Sequence, residues 1–136
     1  MSLAIISIED DDIDFKMMSK ELNKQGFSGD VIRAKDGEDG LNLIKSQANQ
    51  RDLVVLLDLN LPKLNGIEIL QELRANAQTK NIIVFVLTTS KADEDRLKAY
   101  EYNVAGFLSK ESKSFSETVN LVCDYVGLNY FPPLAR

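Results

Sequence analysis

The sequence contains no histidine and no tryptophan, one cysteine, and three prolines in 136 residues. Without histidine the chain cannot assemble from its own residues a Ser-His-Asp or Cys-His nucleophile system, a His-ligated zinc or an imidazole base. A single Cys123 cannot close an internal disulfide, which agrees with a reducing compartment. The longest unbroken apolar runs, residues 53–57 and 82–87, are five and six residues long, against about 20 needed to span a bilayer. The N-terminus has neither the basic region nor the apolar length of a signal peptide. A soluble, cytoplasmic protein without membrane association is expected. Lysine and arginine number 16 against 21 acids, a net charge of −5. No basic cluster is dense enough to track a phosphate backbone, so nucleic acid is not an expected partner. Neither GxGxxG nor GxxxxGK occurs, and nucleotide binding has no support. Chemistry is left to carboxylates, hydroxyls, lysines and a hard metal ion.

What remains is ordinary globular material. The chain is 44% apolar and 27% charged, and its length suits one domain that buries about two-thirds of its unfolded surface. Short apolar runs alternate five times with helical periodicity. Residues 3–8 read as a buried strand, followed by a helix with Phe15, Met18 and Leu22 on one face that stops at Gly26. Residues 30–35 form a shorter strand of mixed exposure, and Asp36-Gly37 opens a helix with Leu41, Ile44 and Ala48 aligned. Residues 53–58 are the most hydrophobic strand; Ile67, Leu70 and Leu73 mark the next helix. A fourth strand is expected over 81–87, a charged helix with few apolar anchors over 91–103, a fifth strand over 104–109, and a last helix with Phe115, Val119, Val122 and Val126 in register. The fold class is α/β: a single doubly wound (βα)5 domain with a parallel sheet, because parallel strands need crossover helices on both faces.

Four strands run into polar groups that a core does not want. The first meets Glu9-Asp10-Asp11-Asp12, the third ends on Asp58, the fourth on Thr88-Thr89-Ser90, and Lys110 follows the fifth. In a doubly wound sheet ligands bind beyond the carboxyl ends of the strands, where the strand order reverses. For the order 2-1-3-4-5 that crevice separates strands one and three, so Glu9, Asp10 and Asp58 face one another. Two like charges about 4 Å apart repel by roughly 4 kcal/mol at an effective dielectric of about 20. Lys110 and an oxygen-seeking dication such as Mg²⁺ would offset three carboxylates and leave a place for a phosphoryl group.

In order and spacing, IISIEDDDID, LVVLLDLNLPKLNGIEIL, VFVLTTS and VAGFLSK resemble the motifs of response-regulator receiver domains, the CheY-like, flavodoxin-like phosphoacceptor modules of two-component phosphorelay signalling. The resemblance covers roughly residues 3–128. The VLTTS string, the LDLNLP loop and the C-terminal paired prolines look most like single-domain regulators found with phytochrome-type histidine kinases. The resemblance implies that Asp58 accepts a phosphoryl group from a sensor histidine kinase or phosphotransfer protein. Asp10, Asp58 and the Asn60 carbonyl would hold Mg²⁺ with help from Glu9. Lys110 would contact the transferred oxygens, Thr88 would bond the attached phosphoryl, and Phe107 would change rotamer with it. Such a protein is no separate enzyme; it assists its own phosphorylation and dephosphorylation.

Blander readings stand beside these. The acidic run could simply cap a helix, with Asp11 or Asp12 as the cap. Phe107 is an apolar aromatic of the kind that fills cores, and Cys123 reads as an inert packing residue. Receivers commonly carry proline after the lysine, whereas Glu111 stands here; either the chain bears a strained cis bond or the loop takes another path. A degenerate receiver acting as a constitutive scaffold is the alternative function, opposed by the complete set Asp10, Asp58, Thr88 and Lys110. An aspartate-nucleophile phosphatase is opposed by the missing second aspartate after Asp58. Signalling is expected through contact with a downstream protein target. The domain is assigned to residues 1–128 and a tail to 129–136, where Leu128, Tyr130, Phe131 and Leu134 surround Pro132-Pro133. Those apolar groups should pack on their own domain or, as favoured here, act as a dimerisation arm in a homodimer whose contact includes Tyr100 and Tyr102.

Overall fold

The expected alternation is realised as β1 (Ala4–Ile8), α1 (Asp12–Lys24), β2 (Asp30–Ala34), α2 (Gly37–Gln47), β3 (Leu53–Leu57), α3 (Gly66–Ala75), β4 (Ile83–Thr88), α4 (Asp93–Glu101), β5 (Gly106–Ser109) and α5 (Phe115–Leu128). The structure is a computed structural model and describes residues 3–111 and 115–134. Residues 1–2 of the expected domain and 135–136 of the expected tail lie outside the described residues. The strands pair in parallel in the order β2-β1-β3-β4-β5.

Side chains alternate between two buried layers. Ile6 and Ile8 of β1, Val55 and Leu57 of β3, and Val84 and Val86 of β4 pack with Ile44 of α2 and Leu70 of α3. Ile5, Val54, Leu56 and Phe85 point the other way, onto Met18 and Leu22 of α1 and Val119 and Val122 of α5. Because helices cover both faces, the central strands read as continuous apolar runs instead of alternating ones. Cys123 is half-buried against the second layer, as a packing residue would be.

Local signals set the helix starts. Asp11 caps α1 by accepting the Asp14 N–H, so Asp11 and not Asp12 fills the role left open between them. Asp36 caps α2, and Asn65 with Glu68 forms a capping box on α3. Two glycines are required by close approach. A Cβ on Gly66 would lie 2.7 Å from the Asp58 carbonyl oxygen, and one on Gly37 would lie 1.6 Å from that of Leu64. The loop after β3 is thus clamped between the starts of α2 and α3.

The differences from expectation lie at ends. β4 begins at Ile83 because the Ile82 N–H turns back to Thr79 and its carbonyl is taken by Arg74. α4 is shorter at both ends than residues 91–103: Ala92 offers no side-chain cap and Asn103 turns to φ 57°. On α3 the buried face is Ile69, Leu70 and Leu73, with Ile67 half-buried. In the tail, Phe131 packs on the α1–α5 layer and, with Pro132, Pro133 and Leu134, lines a groove at the N-terminal end of the sheet. Leu128 and Tyr130 stay exposed, at 83% and 99%. Of the two tyrosines expected in a dimer contact, Tyr100 is exposed, but Tyr102 is half-buried against the core. Among the described residues no helix is long and apolar enough to cross a membrane.

Candidate functional site

The strand order reverses between β1 and β3, and the acids that follow both strands meet there. Glu9 extends the β1 ladder by donating its N–H to the Ala34 carbonyl at 3.0 Å, and Asp58 extends that of β3 by donating to Ile8 at 3.1 Å. The backbone therefore fixes both residues before their side chains are considered. Both are buried, and Asp10 between Glu9 and the Asp11 cap is exposed. One carboxylate oxygen from each of Glu9, Asp10 and Asp58 lies within 4.8 Å of the other two.

Lys110 follows β5, with its N–H donated to the Thr88 carbonyl at 3.1 Å. Its Nζ reaches Glu9 Oε1 at 2.5 Å, Asp58 Oδ2 at 3.0 Å and Asp14 Oδ2 at 3.0 Å. Asp14 is the acid that the sequence reading missed. It lies in the first turn of α1, three residues after the Asp11 cap, where an acid looks like any first-turn charge until the sheet is assembled. With Asp14 counted, three carboxylates contact one ammonium, and Asp10 lies beside two of them. Burial raises the Glu9 carboxyl to about 7, against the opposing pull of the Lys110 hydrogen bond and charge. Burial also disfavours the Lys110 ammonium, but its hydrogen bonds to Glu9, Asp58 and Asp14 outweigh that effect and hold its pKa above the ordinary lysine value. The lysine is a fixed cation.

The remaining expected residues flank this cluster. The Asn60 N–H donates to Asp58 Oδ1 at 3.3 Å, which brings the Asn60 backbone to the carboxylate. Thr88 is buried at the end of β4, and its hydroxyl oxygen accepts the Ser90 N–H at 3.2 Å. Phe107 lies opposite Val86 on β5, half-buried against the α2–α3–α4 layer. At the departure from the usual lysine–proline pair, no cis peptide occurs among the described residues. The Glu111 N–H, which a proline would lack, donates to Ser109 Oγ at 3.0 Å, and the Glu111 carboxylate pairs with Lys91. The Lys110–Glu111 bond is trans, and Lys110 still reaches the carboxylates.

Chemically, the cluster offers hard oxygen donors only, carries surplus negative charge and places a buried cation beside one carboxylate. Those donors fit a dication such as Mg²⁺ and exclude a soft or imidazole-seeking metal. Glu9, Asp10 and Asp58 could hold it. The model of the response regulator receiver domain matches residues 5–120. The chain belongs to the response-regulator receiver family. Among relatives of this receiver, the response regulator Rcp1 of Synechocystis sp. is 32% identical over 122 residues, covering 87% of this chain and 82% of its own. The crystal structure of the Mn²⁺-bound form of Rcp1 aligns with a TM-score of 0.83 and 28% identity over 95% of this chain and 98% of that one. The phosphorylated cyanobacterial phytochrome response regulator RcpA aligns with a TM-score of 0.87 and 25% identity over 97% and 99%.

Proposed function

We propose that this receiver is a two-component response regulator in which Asp58 accepts a phosphoryl group from the phosphohistidine of a sensor histidine kinase or phosphotransfer protein. An Asp58 carboxylate oxygen bonds to phosphorus as the phosphorus–nitrogen bond of the donor breaks and the imidazole leaves. The observation that carries this reading is the placement of Asp58, buried, in contact with the Lys110 ammonium and beside the carboxylates of Glu9 and Asp10. Phosphoryl transfer needs alignment and charge neutralisation more than covalent machinery. Lys110 meets the incoming oxygens. Glu9, Asp10, Asp58 and the Asn60 carbonyl would hold Mg²⁺, which supplies the remaining positive charge when bound. A metal-bound Rcp1 and a phosphorylated RcpA lend support from relatives.

The output is contact with a downstream protein. Thr88 would turn its hydroxyl from the Ser90 amide to the attached phosphoryl, and Phe107 would follow into the space vacated. A constitutive scaffold would have no use for this complete acid–lysine set. Incubation with acetyl phosphate and Mg²⁺ tests the reading by intact mass. One phosphoryl is expected on the wild type and none on Asp58→Asn or in the presence of chelator; equal labelling in all three would refute it.

Residues 1–128 are read as the receiver unit and 129–136 as an arm. Phe131 anchors the arm to its own domain, while exposed Leu128 and Tyr130 are where a second copy would be held. Truncation after Gly127 should then shift a dimer toward monomer in sedimentation. A full-length chain that is monomeric at high concentration, with and without beryllofluoride, would make the arm a local clasp alone.

A further inference from the structure

The turn between β1 and α1 carries two of the three clustered carboxylates, yet residues 9–12 are four consecutive acids that repel one another. Asp11 holds one side of this turn by capping α1. The other side is held from β2. Arg33 is paired with Ser7 in the sheet register, one residue from the end of β1. Its Nε donates to the Glu9 carbonyl at 3.0 Å and its Nη1 pairs with Asp12 Oδ1 at 2.7 Å. The guanidinium lies 4.8 Å from the centre of the Phe15 ring, and the side chain is 16% exposed. Its contacts bracket Asp10, one residue before and two residues after. A planar fork with several donors can do this; a lysine, with one nitrogen, cannot reach the carbonyl and the carboxylate while covering the ring.

We propose that Arg33 is a positioning residue for the metal-facing turn, fixing the backbone from Glu9 to Asp12 so that the Glu9 and Asp10 carboxylates are presented together toward Asp58. The inference rests on the reading of the crevice as a Mg²⁺ site. It makes a prediction opposite to that of charge alone. A cation beside a carboxylate cluster repels a dication, so deleting the Arg33 charge would by Coulomb's law tighten Mg²⁺ binding. Deleting the clamp lets the turn spread and loosens it.

Calorimetric titration of Mg²⁺ into the full chain separates the two, at a temperature well below each variant's unfolding midpoint. Asp10→Asn serves as the reference for a lost ligand. Arg33→Met is expected to weaken Mg²⁺ binding roughly tenfold, the low end for groups that orient metal ligands from behind. Arg33→Lys, which keeps the charge and most of the stem, is expected to weaken it to a similar degree and serves alone if the methionine variant does not fold. Asp12→Asn, which cuts one arm of the clamp, should give a smaller loss. A purely structural role would lower the unfolding midpoints and leave the affinity of the folded protein unchanged, and that result overturns the proposal. So does unchanged or tighter binding by Arg33→Met, or full rescue by Arg33→Lys; in either case wild-type Mg²⁺ binding would leave the crevice reading intact. A wild type that takes up no Mg²⁺ overturns both.

Discussion

Two partly buried cations tie the two ends of the sheet, and their partners differ in kind. At the N-terminal end, Arg74 of α3 donates from Nε to the Tyr102 carbonyl at 2.6 Å and from Nη1 to those of Lys80 and Ile82, each at 2.8 Å. Its Nη2 reaches the Asn103 carbonyl at 3.2 Å. These partners are neutral, and together they join α3 to the turns that lead into β4 and β5. Burial lowers the Arg74 pKa, but an arginine stays charged at any physiological pH. At the C-terminal end, Lys110 meets Glu9, Asp14 and Asp58, with Asp10 close by. There the charges do not match. A cation saturated by carbonyls stabilises the fold, whereas an excess of buried carboxylate costs stability and is retained where a cation or a phosphoryl group can use it.

The contrast predicts that removing a charge acts with opposite sign at the two ends. The largest is expected for Arg74→Ala, which strands several backbone carbonyls: about 3–5 kcal/mol of stability lost in chemical denaturation, with Mg²⁺ affinity of the folded protein unchanged. Next is Gly66→Ala, whose new Cβ would press on the Asp58 carbonyl and the Leu59 backbone. A loss of about 2–3 kcal/mol is expected, and here acetyl phosphate labelling should fall as well, because the strain is delivered to the acceptor loop.

A third effect is a pH dependence. The Glu9 carboxyl sits at about 7 in the folded chain against an ordinary value of 4.5, so the fold binds this proton more tightly than the unfolded chain. The metal-free protein should therefore lose stability as pH rises from 4.5 through 7, by on the order of 3 kcal/mol, and Glu9→Gln should flatten that slope in thermal melts. The smallest effect is Asp10→Asn. Asp10 is exposed and is not the helix cap, so removing its charge should raise metal-free stability by about 1 kcal/mol while weakening Mg²⁺ binding. A large loss of metal-free stability in that variant would contradict the idea that Asp10 is kept for a ligand.

Much of this was legible in the sequence because it follows from period and from strand ends. The continuous runs of β1, β3 and β4 gave the parallel sheet, and the polar residues closing those runs gave Glu9, Asp58 and Thr88. The acidic cluster followed from strand order alone. Asp14, Arg33 and Arg74 were not legible, since each acts on a partner distant in sequence: Asp14 meets Lys110 across 96 positions, and Arg74 meets Asn103 across 29. An arginine inside β2 and a first-turn aspartate look like solvated charges until the sheet is assembled. The ends of β4 and α4 were misjudged for a related reason, because Arg74 takes the Ile82 carbonyl and Ala92 gives α4 no cap.

The central claim is that the surplus charge at the C-terminal end of the sheet serves phosphoryl transfer to Asp58. Hydride reduction of the acetyl phosphate-treated protein tests it directly, because borohydride converts an aspartyl phosphate to homoserine and so marks the acceptor in a peptide map. The account predicts homoserine at position 58, dependent on Mg²⁺ during labelling. Homoserine at Asp10 or Asp14 with position 58 unmodified would contradict it.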